Sequence, residues 1–109
     1  MDFTLTEEQK AIKKMAGSFA KSTFLPNAAR WDQNEVFPRD ELKLAAELGL
    51  AGIYVSEDVG GAGLGRLDAS IVFEELAAAC PSTAAYLSIH NMVAWMIDYY
   101  GNSQIRNRF

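Results

Sequence analysis

Paired carboxylates, one histidine, one cysteine and a run of glycines are the features of this chain that could carry chemistry. Glu74 and Glu75 stand side by side and look like the carboxylate pair of a general acid and base. Neighbours on a helix do not face each other, and acid/base work needs groups that converge. The pair therefore reads as a solvated or salt-bridged face. His90 has no Ser, Cys or Asp partner at a suggestive spacing and reads as a hydrogen-bonded packing histidine. A single histidine and a single cysteine, Cys80, leave no clustered His/Cys metal site and no intrachain disulfide framework. Cys80 falls on an apolar stripe and reads as a small hydrophobe.

Five of the eight glycines, Gly52, Gly60, Gly61, Gly63 and Gly65, crowd into a short segment. A phosphate cradle is the tempting interpretation, but the spacing is wrong. The dinucleotide fingerprint starting at Gly61 would need glycine where Arg66 stands, and starting at Gly63 it would need glycine where Asp68 stands. No Lys-Ser/Thr pair follows, so a P-loop is excluded as well. A tight connector between helices, with positive φ angles or close backbone contacts, is the reading that remains.

Ser88 is the polar residue hardest to place. It interrupts a stripe formed by Ala85, Ile89, Met92, Met96 and Tyr99 at helical spacing. Its hydroxyl could bond back to the Ala84 carbonyl. Alternatively the face borders a cavity, since ligand sites in helical bundles form between facing helices. Trp31, Trp95, Tyr99 and Tyr100 read as core or interface residues.

The elements that must position these residues follow from caps and periodicity. Residues 82–100 run without Gly or Pro, from Ser82 as N-cap to Gly101 as C′ residue. This helix is apolar almost all round, with a polar stripe of only Asn91 and Asp98. Such a helix is expected to be buried, with the other helices packed around it. Earlier in the chain, Thr6-Glu-Glu-Gln9 is a capping-box pattern opening a first helix with Ile12, Met15, Ala16, Phe19 and Thr23 on one stripe. Pro26 ends or kinks it. Residues 27–34 suggest a short helical piece carrying Trp31. Pro38 is expected at N1 of a third helix with Leu42, Ala45, Ala46 and Leu48 on its apolar side, stopped by Gly49. Residues 50–55 form an extended, β-branched and aromatic run too short to imply a sheet. Asp68 is expected to cap a helix to about Cys80, with Ala69, Val72, Phe73, Leu76 and Ala79 inward. Asn102 or Ser103 caps a last helix that is cut off at Phe109, which suggests continuation beyond it. The expected fold is all-α and bundle-like, one domain over residues 1–109, with one glycine-rich connecting loop.

Half of the residues are hydrophobic and 22% are charged, as in ordinary globular domains. The net charge of −4, with no basic stripe available to neutralise phosphates, argues against nucleic acid as a partner. The first residues show neither a signal peptide nor a transit peptide, which places the expectation in the cytoplasm, and no segment reads as a membrane span.

Three stretches together resemble the N-terminal domain of the acyl-CoA dehydrogenase family. They are Leu48-Gly-Leu-Ala-Gly-Ile-Tyr-Val-Ser-Glu-Asp-Val-Gly-Gly-Ala-Gly-Leu-Gly65, then Glu74-Glu75-Leu76, then residues 82–102. Residues 29–38 and Ser88-Ile-His-Asn-Met-Val-Ala-Trp-Met-Ile-Asp98 look like its isobutyryl-CoA, short branched-chain branch. The chain departs from the broad pattern at Ser56, where Pro is usual, at Val59 for Tyr, and at Ile105 for Gln. The resemblance implies an FAD enzyme of three domains, usually a homotetramer, that removes hydrogen across the α,β carbons of an acyl-CoA. A glutamate base takes the α-proton, a hydride passes to flavin, and electrons go on to an electron-transferring flavoprotein. The glutamate and most flavin contacts would lie in the middle β-domain and C-terminal helical domain, outside these residues, so the fragment alone is expected to hold no flavin and no catalytic residue. The role implied for this chain is to wall the acyl pocket with Ala85, Ser88, Ile89 and Met92. The alternative is a stand-alone, non-catalytic helical interaction module.

Overall fold

Thr6 opens the first helix as its spacing predicts. Its Oγ1 accepts from the Gln9 N–H at 3.1 Å, and Gln9 Oε1 accepts from the Thr6 N–H at 3.0 Å. The computed structural model describes residues 1–109. In it, α1 (Glu7–Phe19) passes without a break into a π-helical turn (Ala20–Phe24) and a 3₁₀ turn (Leu25–Asn27), then into α2 (Ala28–Gln33). Further on come α3 (Arg39–Glu47), α4 (Arg66–Ala79), α5 (Pro81–Tyr100) and α6 (Ser103–Arg108). The π turn resets the helical phase, so that Phe19 and Phe24 meet edge to face at 5.2 Å and Phe24 reaches Trp31 at 6.1 Å. Pro26 lies in the 3₁₀ turn and redirects the chain rather than ending it.

The packing axis of the fold is α4, which lies between α1 and α5 and touches both. Ala16, Ala20, Ala69, Val72, Leu76, Ala84 and Leu87 meet there as a shared buried core, with Trp31, Ala45, Leu50 and Ile53 closing its ends. This corrects the expectation that α5 is central. The molecule measures 41 × 38 × 20 Å, and 20 Å is the thickness of two helices. A slab of that kind cannot surround any helix, so α5 has an outward side.

Several boundaries also shift. Pro81, not Ser82, begins α5, because Pro is suited to N1 and the extended Cys80 precedes it as N-cap. Pro38 stands outside α3 rather than at N1. Only Leu42 and Ala45 of α3's expected apolar side turn inward; Ala46 and Leu48 are exposed. Asp68 is the third residue of α4, not its cap. Gly65 holds the N-cap position and its N–H donates to Asp68 Oδ2 at 2.9 Å. Residues 50–55 form turns, not an extended strand-like run. Gly49 does end α3, with φ of +86°. Gly101 ends α5 in extended backbone instead of the left-handed conformation expected of a C′ glycine. What it supplies is space, since a Cβ there would collide with the Ile97 carbonyl.

Candidate functional site

Along α5 the structure separates two faces that composition could not. Thr83, Ala84, Leu87 and Asn91 point inward and are buried. Ala85, Ser88, Ile89 and Met92 lie together on the opposite face, all exposed, with Ile89 at 57% and Met92 at 43%. Met96 and Tyr99 extend this surface. The expectation that this stripe is buried is therefore wrong for residues 1–109. The reason is geometric: α4 and the glycine loop contact one side of α5, and a helix apolar all round has no periodicity to announce which side. The Ser88 hydroxyl makes no bond within the chain, so the return bond to Ala84 is absent. It stands exposed beside Ala85, Ile89 and Met92. The grooves of about 300 and 220 Å³ beside α5 are lined by its flanks, including Tyr86, His90, Val93 and Ile97, and not by the four candidate residues.

The inward polar residues, absent from the sequence-based site, tie α5 to distant parts of the chain. Asn91 is fully buried. Its Oδ1 accepts from the Ile53 N–H at 2.7 Å, and its Nδ2 donates to the carbonyls of Leu50 and Leu87, each at 2.8 Å. Two turns further on, Asp98 Oδ2 accepts from the Ser56 hydroxyl at 2.6 Å and the Ser56 N–H at 3.0 Å. Asp98 Oδ1 takes Arg106 of α6, and Arg106 also reaches both carboxylate oxygens of Asp58 at 3.1 Å. The Ser56 hydroxyl, then its N–H, then Arg106 hold the Asp98 carboxyl at about 2, below its usual 3.8. Proline at position 56 would have no N–H to give, so the departure at Ser56 is matched by Asp98. The signal available in the sequence was Asn91 and Asp98, seven residues apart on an otherwise apolar helix.

The glycine loop keeps its amides for itself. The N–H groups of Gly60, Gly61, Ala62, Gly63 and Leu64 donate to carbonyls of residues 52–57, and that of Gly65 to Asp68. A Cβ on Gly61 would strike the Val55 carbonyl, and one on Gly63 would meet Glu57. The space that glycine leaves is filled by the chain, so no amide cradle is left for the pyrophosphate of a dinucleotide. The glycine loop therefore does not fit the pyrophosphate of a flavin dinucleotide.

The remaining candidates resolve simply. Glu75 pairs with Lys13 at 3.7 Å, while Glu74 is exposed, so the two carboxylates do not converge. His90 is exposed and makes no hydrogen bond, contrary to the packing role expected of it. Cys80 is buried, its sulfur 3.1 Å from Thr83 Oγ1. Trp31 is core, but Tyr99 and Tyr100 are exposed. No three His, Cys, Asp or Glu side chains gather as a metal cluster. No helix is long and apolar enough to cross a membrane. Lys10, Lys13, Lys14 and Lys21 do share a groove beside α4, a basic stripe the sequence reading did not recognise. Its charge is halved by Glu7, 3.0 Å from Lys10, and by Glu75.

Comparison with known proteins gives the arrangement its context. Residues 6–109 match the family pattern described as acyl-CoA dehydrogenase, N-terminal domain. The chain is 55% identical over 104 residues to mitochondrial isobutyryl-CoA dehydrogenase of Bos taurus, covering 95% of this chain and 25% of that protein. It is 56% identical over 105 residues to the enzyme of the same name from Dictyostelium discoideum, covering 96% and 25%. In three dimensions it overlays glutaryl-coenzyme A dehydrogenase, solved with glutaryl-CoA, with a TM-score of 0.95 at 31% identity, covering 100% of this chain and 29% of that one. The chain thus spans about a quarter of the length of the curated relatives it matches. With an all-α slab, a self-contained glycine loop and a sequence match running from its first capping box to its last helix, this chain belongs to the acyl-CoA dehydrogenase family, in the part its members carry as the N-terminal domain.

Proposed function

We propose that residues 1–109 are the N-terminal helical domain of an FAD-dependent acyl-CoA dehydrogenase that removes hydrogen across the α,β carbons of a short, branched acyl-CoA. FAD and the catalytic base are supplied from outside these residues. The assembled enzyme is a homo-oligomer that passes electrons to an electron-transferring flavoprotein. This chain's own contribution is one wall of the acyl pocket, built from Ala85, Ser88, Ile89 and Met92. The observation that carries the reading is the outward face of α5, where those four residues stand exposed and mostly apolar while the opposite face is bonded into the domain. The identity to two enzymes named for isobutyryl-CoA supports the choice of substrate class.

The test is made on the full-length protein that contains this sequence. Its kcat/KM for isobutyryl-CoA should exceed that for long straight-chain thioesters. Met92→Ala should move the preference toward longer acyl chains by roughly tenfold or more, the range over which apolar pockets discriminate a methylene. It should cost less than the about 2–5 kcal/mol of a fully packed methionine. A stability loss of that full size with unchanged chain-length preference would make Met92 ordinary core and overturn the pocket wall.

A further inference from the structure

We infer that Asn91 is the positioning residue of the acyl wall: its buried amide fixes the roll of α5 about its own axis and so aims Ser88, Ile89 and Met92. The inference rests on the wall reading above. Asn91 lies across the helix from Ile89 and next in sequence to Met92, and it is completely buried; the other buried polar side chain of this face, Thr83 at the start of α5, contacts only Cys80, three residues back. Apolar packing is non-directional, so it resists separation of α5 from its neighbours far better than it resists a small rotation. Hydrogen bonds have direction. Those of Asn91 run to Ile53 and Leu50, 38 and 41 residues away in the chain, at 2.7 and 2.8 Å, and the third returns to Leu87 one turn back on α5. The one acceptor and both donor hydrogens of the amide are thus each used once. A flipped amide would set its oxygen against the Leu50 and Leu87 carbonyls, so a single orientation is admitted.

The segment that Asn91 grips is itself rigid. Ile53 and Leu50 are buried, and the Ile53 carbonyl in turn accepts from the Leu64 N–H at 2.9 Å. The lock therefore ties α5 to a folded loop. Asp98 and Ser56 tie the same helix to the same loop two turns away, and the two ties lie on one side of α5. A roll of about 10° would move side chains at the ~5–6 Å radius of a helix by about 1 Å. Misplacement on that scale is enough to change rates by orders of magnitude where a reacting group is held.

The experiment compares, in the full-length enzyme, Asn91→Leu, which removes all three bonds, and Asn91→Asp, which keeps only the acceptor for the Ile53 N–H. Val72→Ala on α4 serves as a control for lost stability, and Met92→Ala as a control for the wall. The readout is the ratio of kcat/KM for isobutyryl-CoA to that for a straight-chain acyl-CoA, at equal flavin content. The Asn91 variants should move this ratio by roughly three- to tenfold, within the range of one methylene in an apolar pocket, while Val72→Ala lowers the melting temperature and leaves the ratio unchanged. If Met92→Ala moves the ratio but the Asn91 variants do not exceed Val72→Ala, Asn91 is a stabilising residue only and the inference is wrong. If Met92→Ala is also silent, the wall reading has failed, and the inference goes with it. Failure of both Asn91 variants to give folded enzyme would assign the residue to folding alone and overturn its positioning role.

Discussion

Asp98 shows how one side chain can join three segments and how its protonation should be felt. Its oxygens are shared between Ser56 of the loop and Arg106 of α6, and Arg106 is shared in turn with Asp58. The carboxyl is held at about 2, below its usual 3.8, first by the Ser56 hydroxyl. The folded value is depressed, so the ionised form is favoured by folding. The resulting stability is fully present above about pH 4 and is lost as pH falls from there toward 2. Melting temperatures measured across that window should fall more steeply for the wild-type chain than for Asp98→Asn, and at neutral pH the variant should be the less stable of the two. Parallel acid limbs for the two proteins would mean that Asp98 is not ionised in the clasp.

The glycine loop is an element whose shape follows from crowding. Gly61 packs so closely on Val55 that a Cβ would overlap the Val55 carbonyl, whereas a Cβ on Gly65 would make an ordinary contact with Asp68 at 3.5 Å. Gly61→Ala must displace backbone, which costs about 1–3 kcal/mol or more. Gly65→Ala makes no clash and should cost less, about 0.5–1 kcal/mol for the poorer N-cap that alanine makes. Denaturant midpoints for the two variants provide the comparison, and equal losses would contradict the close approach. That the loop would be tight was legible from its glycine density. That Asn91 and Asp98 would grip it was not, because each reaches residues about 40 positions away and no local pattern encodes such a partner.

The whole molecule is a two-helix-thick slab with an apolar outer face along α5. Ile89, Met92, Val93, Met96, Tyr99 and Tyr100 are each between 43% and 73% exposed on one helix. Apolar surface that continuous drives association. Residues 1–109 produced by themselves should self-associate at high concentration and bind a hydrophobic dye, and charged substitutions at Ile89 and Met96 together should suppress both. Sedimentation as a strict monomer with no dye binding would show the face to be less cohesive than its composition implies.

Local signals were enough to determine where this chain coils, though not that residues 50–55 would form turns. The Thr6–Gln9 capping box, the Gly49 stop, the prolines at 26, 38 and 81 and the apolar spacing of α1 and α4 act within a few residues of themselves, and the structure keeps each to within a residue or two. The same locality explains the misses at Ser82 and Asp68, where neighbouring residues compete for one cap, and at Gly101, whose conformation the packing against Ile97 and Ile105 decides. The choice of α4 over α5 as the middle helix was beyond the sequence. Both are apolar, and which lies inside depends on how α1 and the loop pack, a long-range matter. The inward side of α5 was beyond it for a related reason. A helix with apolar residues on every side has no amphipathic phase, so the decision passes to two polar residues and the distant backbone groups that satisfy them.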